Sequence, residues 1–71
     1  MQNEHALAIW RKNQSPQLSQ KEFAEKIGVS RWMVNRIEAG KRKPSFDVAL
    51  KIQNLTEITP SELVAQTEAA E

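Results

Sequence analysis

Four residues near the middle of the chain, Arg31, Trp32, Asn35 and Arg36, have side-chain types that can read the edge of a nucleic-acid base. Arg31 and Asn35 are four apart, as are Trp32 and Arg36, so on a helix they make one polar-aromatic surface about a turn and a half long. A helix fits the major groove, where Arg can pair with guanine and Asn with adenine through two hydrogen bonds each. Taken alone, an Arg-rich exposed helix face is more often merely solvated. A basic run, Lys41-Arg42-Lys43, follows closely and suits phosphate, although such a turn also serves as a solubilising loop.

Other chemistry is poorly provided for. The chain has no Cys, which excludes disulfides, thiolate nucleophiles and Cys-based zinc sites. A lone His5 near a terminus expected to fray cannot build a metal site without carboxylates, so no metal and no cofactor is expected. There is no Gly-rich phosphate loop, no nucleophile with a plausible base and no carboxylate pair in a predicted pocket. An enzyme is not expected. No apolar run reaches membrane-spanning length and no signal-peptide pattern opens the chain, so a cytoplasmic protein without membrane contact is expected.

Charge is divided along the chain in a way the net value of +1 conceals. Residues 1–43 carry a balance of +5, whereas residues 44–71 carry −4. The division suggests one surface made for a polyanion and another kept away from it, although scatter in a small domain gives the same split. Seventy-one residues, 39% of them hydrophobic, allow one domain and one small core.

The elements that must position these residues are five short helices. Leu7 and Trp10, with Ala6 and Ile9 beside them, predict an amphipathic first helix over about residues 3–13, with Trp10 in the core. Ser15-Pro16 ends it, because the residue before Pro is pushed out of the α region. Ser19 and Glu22 have the spacing of a capping box for a second helix, whose inward stripe is Phe23, Ala24 and Ile27 and whose stop is Gly28. Ser30 caps a third helix that buries Met33, Val34 and Ile37 and ends at Gly40. Ser45 caps a fourth, with Val48, Ala49 and Ile52 inward. Thr59-Pro60-Ser61-Glu62 is a second capping box, opening a fifth helix that carries Leu63 and Val64. The helix-turn-helix domain is expected over residues 1–66, with residues 67–71 a frayed tail. Two helices joined by a turn of about three residues containing Gly28 are the sequence form of a helix-turn-helix.

The run LSQKEFAEKIGVSRWMVNRIEAGKRKPSFDVALKI, residues 18–52, resembles the Cro/repressor-type (Xre-like) helix-turn-helix family of lambdoid phage repressors, restriction-modification controllers and many antitoxins. Gln20, Ala24, Gly28, Ser30, Val34, Ile37, Glu38, Gly40 and Pro44 stand at the family's spacing, and the likeness extends over roughly residues 5–65. It implies an all-α, compact five-helix, lambda-repressor-like fold with the helix-turn-helix formed by helices 2 and 3. It also implies base reading by Arg31, Trp32, Asn35 and Arg36, and phosphate binding by Gln20, Ser30, Lys41, Arg42 and Lys43. Glu38 stands at the family's position for a structural ion pair with an Arg of helix 1, here Arg11.

Three features depart from the pattern. The stretch Gln14-Ser15-Pro16-Gln17 makes the first loop about two residues longer, Thr56-Glu57 replaces a frequent Leu-Gly pair, and Trp32-Met33 replaces smaller residues. Trp32 therefore has three readings: DNA contact, packing across the helix pair, or a protein partner. The resemblance implies a sequence-specific repressor that binds a roughly palindromic double-stranded operator as a homodimer. The region around Leu55, Ile58 and Leu63, acidic and apolar where DNA would not be, is the expected surface between the two copies. The alternative is an antitoxin or restriction-modification controller with a protein partner.

Overall fold

The computed structural model describes residues 4–67. Five helices follow in order, α1 (Ala6–Lys12), α2 (Gln20–Ile27), α3 (Arg31–Glu38), α4 (Phe46–Thr56) and α5 (Pro60–Ala65), with no strand among the described residues. The caps explain why each helix starts where it does. Ser19, Ser30, Ser45 and Thr59 each accept from the third amide of the helix that follows, and Glu22 and Glu62 reach back to close capping boxes on α2 and α5.

The core is one cluster formed by Leu7, Phe23, Ala24, Ile27, Val34, Ile37, Ala49, Ile52, Ile58 and Leu63, drawn from every helix. Trp10 packs against it, its ring edge-on to Phe23 with centroids 5.9 Å apart. α1 is shorter than the predicted span and turns differently. Leu7, Ala8 and Arg11 are its buried residues, and Ile9 is exposed.

His5 is no frayed residue. It is the N-cap of α1, with its Nδ1 accepting from the Leu7 amide at 3.0 Å. The neighbouring Ala6 amide donates to Gln66 Oε1 at 2.7 Å, which ties the start of α1 to the end of α5. His5 is 7% exposed, and burial lowers its pKa below the ordinary 6.5, a shift that the negative charge of Glu38 opposes.

The dimer-interface expectation needs correcting at two of its three residues. Ile58 is 8% exposed and Leu63 fully buried, because both close the small core shared with the other helices. Leu55 is exposed, and so is Val64 on α5. The Thr56-Glu57 departure also has a structure. α4 continues to Thr56, whose hydroxyl donates to the Ile52 carbonyl and accepts from the Ile58 amide, and Glu57 turns the chain at φ 68°. The tail expected over residues 67–71 lies outside the described residues except for Thr67, whose hydroxyl donates to the Leu63 carbonyl at 2.8 Å.

Candidate nucleic-acid interface

Two left-handed glycines set the run of the chain into and out of α3, one ending α2 before it and one closing α3 itself. Gly28, at φ 75°, ends α2, and the Val29 amide donates back to the Ala24 carbonyl at 3.0 Å. A Cβ built on Gly28 would meet only Lys51 Nζ, at an ordinary 3.7 Å, so the glycine serves the backbone angle and not a close approach. Gly40, at φ 74°, ends α3 in a Schellman turn: its amide donates to the Ile37 carbonyl and the Lys41 amide to that of Arg36, each at 3.0 Å. Val34 and Ile37 anchor the inner side of α3, while Arg31, Trp32, Asn35 and Arg36 are all exposed. The four residues whose spacing suggested a single reading surface thus share the solvent side of one helix.

Behind that surface lies a polar network that crosses the domain. Arg11 donates through Nε to Glu38 Oε2 at 2.8 Å and through Nη2 to Glu38 Oε1 at 2.9 Å, a two-pronged pair whose side chains are 11% and 7% exposed. Its Nη1 donates to the Leu18 carbonyl at 2.9 Å, which pins the long first loop to α1. The hydrogen bonds to Glu38 raise the Arg11 pKa further, so the guanidinium is charged at every accessible pH. Gln20 Nε2 also donates to Glu38 Oε1, at 3.0 Å, and Asn35 Nδ2 donates to Gln20 Oε1 at 3.4 Å. Gln20, expected at phosphate, links the buried ion pair to the exposed face of α3. Asn35 retains its second amide hydrogen and its oxygen, the two groups adenine requires.

The phosphate candidates lie at two places. Ser30 accepts from the Met33 amide at 3.1 Å as the N-cap of α3, which leaves its hydroxyl hydrogen free to donate. Lys41, Arg42 and Lys43 are exposed in the segment after α3, whose far end is fixed by the buried Pro44. Arg42 differs from its neighbours, because its Cζ lies 5.9 Å from the centroid of the Trp32 ring, over which Arg36 also lies at 5.6 Å. Two features escaped the sequence reading. His5 is one. Phe46, 70% exposed at the start of α4, is the other, although its offset from the Val48-Ala49-Ile52 stripe carried the signal.

A short two-helix unit, the second helix turned outward with a basic and aromatic face and the basic segment beside it, defines a DNA-binding domain of the helix-turn-helix class. The sequence model of the helix-turn-helix family matches residues 7–63, and the chain belongs to that family, whose members are DNA-binding regulators of transcription. Comparison with curated proteins and with solved structures finds no match. Among the described residues no helix is long and apolar enough to cross a membrane.

Proposed function

We propose that this regulator is a sequence-specific repressor that binds a roughly palindromic operator as a homodimer, with α3 in the major groove. The observation that carries the reading is the common outward face of Arg31, Trp32, Asn35 and Arg36, set on a helix that runs between Gly28 and Gly40. Arg31 and Arg36 pair with guanine, and Asn35, held from behind by Gln20, pairs with adenine. Ser30, Lys41 and Lys43 bind phosphates on either side of the groove and set the register. One domain of this size grips too few base pairs to stand out among genomic competitors, which is the reason for a twofold dimer. With Ile58 and Leu63 in the core, the exposed apolar residues available to a second copy in the C-terminal half are Phe46, Leu50, Leu55 and Val64.

The test is selection from random duplex DNA with the intact protein. Enriched sites should show twofold symmetry, with half-site centres about 34 Å apart along the duplex. Enrichment of nothing above background overturns sequence-specific reading. Enrichment of single, unpaired half-sites overturns the dimer.

A further inference from the structure

Arg42 belongs by position to the basic segment, yet it is packed like a member of the reading face. Its guanidinium and that of Arg36 both lie over the Trp32 ring, 5.9 and 5.6 Å from the centroid, while Trp32 as a residue is 58% exposed. The backbone makes this return possible. The Schellman turn at Gly40 reverses the chain at the end of α3, and buried Pro44 holds the other end of the segment, so Arg42 is carried back along the helix it has just left.

We propose that Arg42 is a specificity-determining residue, positioned by Trp32 to pair with a guanine edge beside the base read by Arg36. The inference rests on α3 lying in the major groove, as proposed above. A guanidinium stacked on an indole uses its flat face, which leaves the N–H fork at its edge free for the two acceptors of guanine. Each such stack at an exposed site favours the docked side chain by roughly two- to fivefold. Neither guanidinium is ion-paired with a carboxylate among the described residues. Two cations gathered on one ring repel each other until a polyanion arrives, so the arrangement is completed by DNA. Lys43 has a compact ammonium with no fork and remains a phosphate contact.

The experiment is binding of the intact protein to its selected operator and to every single-base variant of it, for the parent, Arg42→Ala, Arg42→Lys, Lys43→Ala, Trp32→Ala and Trp32→Phe. Circular dichroism checks that each variant is folded. The parent should prefer guanine at one further position by about 5- to 150-fold. Arg42→Ala and Arg42→Lys should both lose that preference and keep the others. Trp32→Ala should lose it too, Trp32→Phe should keep part of it, and Lys43→Ala should weaken all sites evenly. If Arg42→Ala weakens every site evenly, Arg42 is a phosphate contact and the proposal fails while the repressor reading stands. If Trp32→Ala leaves the Arg42-dependent position intact, the positioning role fails. A parent that enriches no site overturns the repressor reading and this inference together.

Discussion

Arg11 makes three hydrogen bonds, two to Glu38 and one to the Leu18 carbonyl, and all three are lost at once when it is truncated. Glu38 would then be left as a nearly buried carboxylate whose neighbouring donor is the neutral Gln20. Removing one partner of a fully buried pair costs roughly 3–5 kcal/mol, and the slight exposure here puts Arg11→Ala near the lower end, at about 3 kcal/mol. The expected outcome is a lowered denaturation midpoint, with the base preferences of any remaining folded protein unchanged. Arg11→Lys should recover little, since one ammonium cannot reproduce a planar fork serving three acceptors. Arg31→Ala should do the opposite, keeping the melting temperature and relaxing preference at one base pair per half-site by about 1–3 kcal/mol in a binding titration.

Helix ends carry the next prediction. Glu57 closes α4 with a positive φ of 68°, a region that disfavours side chains with a Cβ, and it places a carboxylate at the negative end of the helix dipole. Glu57→Gly should therefore stabilise the protein by about 1 kcal/mol, measured by thermal or urea denaturation. Gly28→Ala should cost about as much, because its φ of 75° is strained for alanine even though the space beside it is open. Much of this level was legible in the sequence. Ser19, Ser30, Ser45 and Thr59 cap the four helices they were expected to cap, because a hydroxyl three residues before an amide satisfies a purely local geometry. What could not be read there depends on contacts far apart in the chain. His5 looked like an unanchored terminal residue until the Gln66 side chain met the Ala6 amide, sixty residues away. Ile58 and Leu63 looked like spare apolar surface until the core proved to need them. The link from Gln20 to both Glu38 and Asn35 follows from the crossing of α2 and α3, which a residue pattern does not encode.

The molecule as a whole responds to pH and to salt through separate groups. His5 has a lowered pKa in the folded state, because burial disfavours its charged form, and its unprotonated Nδ1 receives the Leu7 amide. The unfolded chain therefore binds the proton more readily. Its stabilising contribution is complete above pH 6.5 and is lost as pH falls from there through the folded value. Melts between pH 7.5 and pH 5 should show this loss in the parent, while His5→Asn, which caps without titrating, should show a flatter profile. Glu22 adds its own loss only at lower pH, since the Ser19 amide and hydroxyl hold its carboxyl below the usual 4.5. DNA affinity should fall with salt, the division of charge along the chain favouring a basic reading side and an acidic far side. Lys43→Ala should reduce the slope of log affinity against log salt by about one.

The Asn35–Gln20–Glu38–Arg11 series has a consequence for how such a regulator changes its target. Arg31, Trp32 and Arg36 have no side-chain hydrogen bond to the interior among the described residues, so each can be exchanged and the domain still folds. Asn35 is chained to the groups that hold α1 to α3. With α3 in the groove as proposed, a new base preference evolves most freely at the first three positions, and the base facing Asn35 drifts most slowly.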